Sequence, residues 1–165
     1  MKKKAALEAS ASLDHSVAFD LEELTKIKVT MFLADYALVS EGKLSILGGG
    51  WNITGPDPTS FGLAVLFEIP IVSAQASYSF RLELIDAEGV GVQLTENQEP
   101  LIVEGGIQLQ DLEAARESGS AFLNMPFAAN FAALPLPPGK RLEWRLLIDG
   151  RGHADWRLPF TTRAR

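Results

Sequence analysis

From Ile27 onward the apolar positions of this chain recur every second residue. Ile27, Val29, Met31 and Leu33 alternate with Lys28 and Thr30, the pattern of a strand with one buried face. Glu41-Gly42-Lys43 predicts a turn, after which Leu44 and Ile46 open a second strand. Gly48-Gly49-Gly50 interrupts that strand before Trp51, Ile53 and a loop at Gly55-Pro56-Asp57-Pro58. Leu63, Val65, Phe67 and Ile69 define a third strand. Tyr78, Phe80, Leu82 and Leu84 define a fourth, opposed by Ser79, Arg81 and Glu83. Asp86-Ala87-Glu88-Gly89 is a hairpin signal, with residues 90–94 returning.

Residues 101–109 predict another strand, with Gly105-Gly106 as a bulge. Residues 110–120 are a polar excursion with room for one helical turn. Leu123, Met125, Phe127, Ala129 and Phe131 then alternate with Asn124, Pro126, Ala128 and Asn130. Proline inside that run points to an edge strand or a bulge. After the rigid connection at residues 134–139, Leu142, Trp144, Leu146 and Ile148 share one parity, and Trp156, Leu158 and Phe160 share that of the return strand. Residues 149–153 read as a glycine-rich loop between them. If both apolar sets face the core, Leu146 lies opposite Trp156 and Trp144 opposite Leu158, because a one-residue slip would put one set in water.

Eight or nine short strands with turn signals about every 8–12 residues indicate a sandwich or barrel. No helix of crossover length alternates with them, which argues against a parallel α/β sheet. The expected fold is all-β: an antiparallel β-sandwich of 8–9 strands, immunoglobulin-like or C2-like. Cysteine is absent, so the immunoglobulin likeness is architectural and does not extend to its Cys–Trp–Cys hallmark. The sandwich is assigned to residues 27–165 and a tail with a short helix to residues 1–26. Residues 1–15 are small, polar and charged, whereas residues 16–26 have Asp20 and Glu23 at capping-box spacing. Phe19, Leu21 and Leu24 there are candidates to dock on a neighbouring subunit.

Composition narrows the function classes. A length of 165 residues suits one domain, and a net charge of -6 is not the basic footprint of a nucleic-acid binder. The lack of cysteine removes disulfides and thiolate chemistry together. No apolar run approaches the roughly 18 residues of a membrane span. Lys2, Lys3 and Lys4 resemble the head of a signal peptide, but Glu8, Ser10, Ser12 and Asp14 interrupt the apolar stretch that must follow. The expected location is the cytoplasm.

Two series of residues carry a family resemblance. One is Val29-Thr-Met-Phe-Leu-Ala-Asp35, Gly42-Lys43-Leu44, Leu47-Gly-Gly-Gly-Trp51 and Gly55-Pro56. The other is Leu134-Pro-Leu-Pro-Pro-Gly139, Trp144-Arg145-Leu146, Ile148-Asp149-Gly150 and Trp156-Arg157-Leu158. Together they resemble an uncharacterised bacterial family of short β-sandwich proteins, a domain of unknown function. The likeness covers about residues 27–163. It implies a single sandwich domain and brings no activity and no site residues.

The most conspicuous local feature is Gly48-Gly49-Gly50-Trp51. A phosphate loop would need a following Lys-Ser/Thr and a helix, whereas Trp51 and Asn52 follow here. The expectation is a corner where glycine takes positive φ, with a ligand groove at Gly48, Gly49, Gly50, Trp51 and Asp57 as the alternative. Asp86, Glu88, Asp149 and Asp155 read as turn formers before calcium ligands. His153 reads as a solvated loop side chain, since a zinc site without cysteine needs about three ligands. No catalytic residue, cofactor or metal is assigned. Phe32, Leu66, Ile85 and Leu147 fall on outward parity, and four clustered apolar side chains would make an interface patch.

The leading expectation is a non-catalytic protein-interaction or structural module that self-associates into a homo-oligomer, with no nucleic-acid or membrane partner. The alternative is a small-ligand or carbohydrate-binding sandwich using Trp51. A hydrolase with dispersed carboxylates is third.

Overall fold

The computed structural model describes residues 22–95 and 99–165. The described residues form ten strands: β1 (Lys28–Ala34), β2 (Tyr36–Ser40), β3 (Lys43–Leu47), β4 (Ile53–Thr54), β5 (Thr59–Pro70), β6 (Ser77–Asp86), β7 (Ile102–Gln108), β8 (Phe122–Leu134), β9 (Arg141–Ile148) and β10 (Arg151–Thr162). A 3-10 turn at Ile71–Ser73 joins β5 to β6, and α1 (Leu112–Glu117) precedes β8. The molecule is thus mostly β, in three sheets. One has the order β1-β5-β8, one the order β4-β10-β9-β6-β7, and the third is the β2-β3 ribbon. All pairings between neighbouring strands are antiparallel except the short parallel contact of β4 with β10.

The two larger sheets share one core. Phe67 of β5 meets Phe80 of β6 at 5.5 Å between ring centroids, and Phe80 meets Phe127 of β8 at 4.8 Å. Phe131 stacks on Trp144 of β9 at 5.5 Å. Trp144, Leu82, Leu84, Leu146 and Ile148 are fully excluded from solvent. A buried aromatic side chain removes about 150–250 Å² from water, so these rings carry much of the stabilisation.

The alternation of the sequence reappears in the register. Trp144 pairs with Leu158, as both sets facing the core require. The companion pair, Leu146 with Trp156, falls inside a register shift between Gly152 and Arg157. The loop at this hairpin is shorter than residues 149–153. Asp149 and Gly150 both take positive φ, 48° and 74°, which matches the right-handed strand twist in a two-residue turn, and β10 begins at Arg151.

Gly105-Gly106 is not a bulge. β7 pairs with β6 in unbroken register, Gly105 opposite Phe80. A side chain on Gly105 would place Cβ 2.5 Å from the Phe80 ring, so the glycine makes room for a core aromatic. Residues 90–94 form no strand either. Asp86 Oδ1 accepts from the amides of Glu88 and Val90 at 3.0 and 2.8 Å, and the return is limited to one bridge between Ile85 and Gly91.

At the other end of the chain, residues 22–24 are helical. Leu24 and Ile27 are each 4% exposed, and Trp156 Nε1 donates to the Ile27 carbonyl at 3.2 Å. Leu24 therefore packs into its own chain's core rather than remaining available to a neighbour. Phe19 and Leu21 lie outside the described residues.

Candidate interaction surface

The β2-β3 ribbon is built by a turn that the sequence marks plainly. Glu41 and Gly42 have φ of 50° and 70°, the conformation of a two-residue hairpin turn. Tyr36 then pairs with Leu47, Ala37 with Ile46, Leu38 with Ser45 and Val39 with Leu44. Both parities of this ribbon are apolar. A ribbon of two strands cannot bury both of its faces, so one must find cover elsewhere.

That cover is the outer face of the three-stranded sheet. Ala37 is fully buried because it sits over Gly62 of β5, where an added Cβ would lie 2.7 Å from the Ala37 amide nitrogen. Asn130 of β8 fixes the crossing from both directions. The Ala37 N–H donates to Asn130 Oδ1 at 3.0 Å, and Asn130 Nδ2 donates to the Ala37 carbonyl at 2.7 Å. The side-chain amide thus acts as a one-residue strand for the edge of β2.

The other face has no cover. Tyr36 is 50%, Leu38 46% and Leu47 68% exposed. Val39 and Ile46, on the Ala37 side of the ribbon, are also exposed at its margin, as are Phe32 in β1 and Ile53 in β4. Seven of the ten large apolar side chains that stay exposed among the described residues lie between Phe32 and Ile53. Such side chains are ordinary when scattered, but a cluster on one ribbon is what interaction sites show.

Gly48, Gly49 and Gly50 form the corner that carries the chain out of this ribbon. Gly48 and Gly50 have φ of 60° and 94°, and the Gly50 N–H donates to the Leu33 carbonyl at 2.8 Å. A Cβ on Gly48 would strike the Asp35 carboxylate. Trp51 follows half-buried, edge-on against Phe61 at 5.9 Å. Asp57 is exposed in the next turn, where its carbonyl accepts from the Thr59 hydroxyl at 2.9 Å.

The four residues read as an outward patch do not come together. Phe32 and Leu66 lie on the outer face of the three-stranded sheet, since Thr30 pairs with Leu66 and Phe32 with Ala64. Leu147 is half-buried on the other sheet, opposite Arg81. Ile85 is buried, 4% exposed, beneath the returning chain at Gly91 and Pro100. Parity located these side chains correctly on their strands, but it carried no information about which sheet each strand joins.

The outer face of the five-stranded sheet has the opposite character. Arg81 bridges Glu83 and Glu104 at 2.9 and 3.2 Å, Arg145 meets Glu83 at 2.7 Å, and Arg157 meets Glu143 at 3.1 Å. Glu83 and Glu143 are partly covered while their arginines reach water, and ion pairs in contact with solvent contribute roughly 0–1 kcal/mol each. Two shallow clefts of about 530 and 500 Å³ flank the Asp86 turn, with Arg141, Glu143 and Arg157 on their walls. Gly48–Gly50, Trp51 and Asp57 line neither. Among the described residues no group of three or more His, Asp or Glu is placed to hold a metal, and no helix is long and apolar enough to cross a membrane. His153 lies in β10, its ring 5.5 Å from Trp156.

A model of a family of unknown function, DUF6941, matches residues 29–161, which take in all three sheets, the ribbon among them. The chain belongs to that family. No curated protein and no solved structure matches it. In the DUF6941 chain, exposed ribbon residues escaped the sequence reading because neither strand of the hairpin alternates cleanly. Leu38-Val39 and Ile46-Leu47 are adjacent apolar pairs. An apolar pair in a short strand between glycine turns is the signal that marks a ribbon with something to cover on each face.

Proposed function

We propose that this DUF6941 domain is a non-catalytic interaction module that self-associates through the exposed face of the β2-β3 ribbon. The observation that carries the reading is the concentration of exposed apolar side chains on that ribbon, led by Tyr36, Leu38 and Leu47. The two facing sheets are read as layers of an antiparallel sandwich that serves as its rigid base, of the immunoglobulin-like or C2-like kind. The half-burial of Trp51 against Phe61 supports this reading over a sugar-stacking platform. We place the module in bacteria on the resemblance described above.

Sedimentation of the full chain tests the reading, alongside Leu38→Lys with Leu47→Lys. Both side chains are exposed, so the double variant keeps the core and its folding intact. The expected outcome is a defined oligomer that becomes a monomer which still unfolds cooperatively, with a melting temperature that no longer depends on protein concentration. A monomeric parent protein contradicts the proposal.

A further inference from the structure

The outer face of β9 and β10 sets two like charges directly opposite each other. Arg145 pairs in register with Arg157, an arrangement that repels across a sheet unless negative charge lies close to both side chains. Each arginine is held by a different carboxylate. Arg145 Nε and Nη2 donate to Glu83 Oε2 at 3.2 and 2.7 Å, and Arg157 Nη1 donates to Glu143 Oε1 at 3.1 Å. Glu83 is shared, because Arg81 Nε lies 2.9 Å from its Oε1. One carboxylate thus serves two guanidinium groups.

The carboxylates form the inner layer of this arrangement and the guanidinium groups the outer one. The side chains of Glu83 and Glu143 are 16% and 22% exposed, those of Arg145 and Arg157 33% and 48%. A guanidinium carries five N–H donors in a rigid fork. Glu83 takes two from Arg145 and Glu143 one from Arg157. The glutamates orient the forks from beneath, and the forks present further N–H groups outward.

These two arginines line the cleft of about 500 Å³ beside the Asp86 turn, together with Arg141, which shares their face of the sheet. Asp86 and Glu88 line it from the turn. Asp86 Oδ1 is already held by the Glu88 and Val90 amides. A ligand charged negatively along its whole length is repelled on the turn side. One with a single oxyanion group, directed at β9 and β10, is not. The chain as a whole carries a net charge of -6, so three arginines on one cleft are not the by-product of a basic composition.

We propose that this cleft binds a small acid through one oxyanion group, a phosphate or a carboxylate, seated between Arg145 and Arg157 with Arg141 as the third cation. Guanidinium forks match both groups by paired N–H donors. The bound anion supplies the negative charge that the opposed arginines share too little of. The site lies on the five-stranded sheet and is independent of the β2-β3 ribbon.

Amide chemical shifts of the full chain test this, titrated with inorganic phosphate and separately with acetate, at one pH and constant ionic strength. The expected result is saturable shifts confined to residues 85–89, 141–145 and 157. Saturation by phosphate alone assigns the site to phosphate esters, by acetate alone to carboxylic acids, and by both to either group. Arg157→Gln, whose parent side chain reaches water, is expected to weaken binding about 10-fold or more, the usual effect of losing a charged hydrogen bond. Arg116→Gln, which removes the same charge from α1, is expected to leave binding unchanged. Shifts that stay linear with both probes overturn the proposal. Saturation equally strong in Arg157→Gln, or equally weakened by Arg116→Gln, also overturns it.

Discussion

Gly62 is a glycine because the backbone of Ala37 fills the space where its side chain would stand. Gly62→Ala is expected to lower stability by about 1–3 kcal/mol, the usual cost of forcing an extra carbon into a packed contact. Equilibrium urea unfolding measures it, and an unchanged midpoint would mean that the ribbon is not seated on β5. Tyr78 marks a second constraint at this scale. It is 5% exposed and its hydroxyl accepts from the Gln75 amide at 2.8 Å. Burial holds its pKa above the ordinary value of 10.0, so the fold favours the neutral phenol. The contribution is fully present below pH 10.0 and is lost as pH rises through the elevated folded value. Absorbance at alkaline pH is expected to show Tyr78 ionising above pH 10.0, a step that Tyr78→Phe removes.

At the scale of elements, Asn130 decides where the ribbon goes. Its amide satisfies both polar groups of Ala37, and Ala37 is fully buried. Asn130→Ala leaves a buried donor and a buried acceptor without partners, each costing about 1–3 kcal/mol if water does not enter. The expected outcome is a ribbon that loosens before the rest of the fold, read as faster amide exchange at residues 36–47 with β6 and β9 unchanged. Uniform change across all strands would assign Asn130 to global stability instead. The elements themselves were largely legible in the sequence, because period-two alternation is a local property. The strands around Phe80, Trp144 and Phe160 lie where the alternation puts them, and Pro126 does sit on an edge strand. What the alternation lacked was pairing. Ile85 shows outward parity yet is covered by chain that returns over it, and Leu24 looks like a free docking residue yet is claimed by the core. Both outcomes depend on segments remote in sequence.

At the scale of the whole molecule, the two outer faces differ in chemistry. The five-stranded sheet presents alternating Arg and Glu side chains that already pair with each other, a face suited to water. The ribbon side presents Tyr36, Leu38 and Leu47, a face that gains from being covered. Burying a large apolar side chain yields roughly 1.5–3 kcal/mol, so a few such residues suffice for a strong preference of one face over the other. The candidate site was the least legible part of the sequence. Gly48-Gly49-Gly50-Trp51 reads in the sequence as a corner with glycine at positive φ, and Gly48 and Gly50 take positive φ behind the ribbon, but nothing in that segment announces the exposed apolar face beside it.

The central claim is that copies of this chain meet ribbon to ribbon. The chain has no cysteine, so single labels are clean. Spin labels on Lys43→Cys, at the exposed tip of the ribbon, and on Val72→Cys, on the 3-10 turn at 91% exposure, report on two separate regions. Dipolar coupling between copies labelled at position 43, and none between copies labelled at position 72, is the result predicted. Coupling at position 72 without coupling at position 43 would place the interface elsewhere and contradict the account.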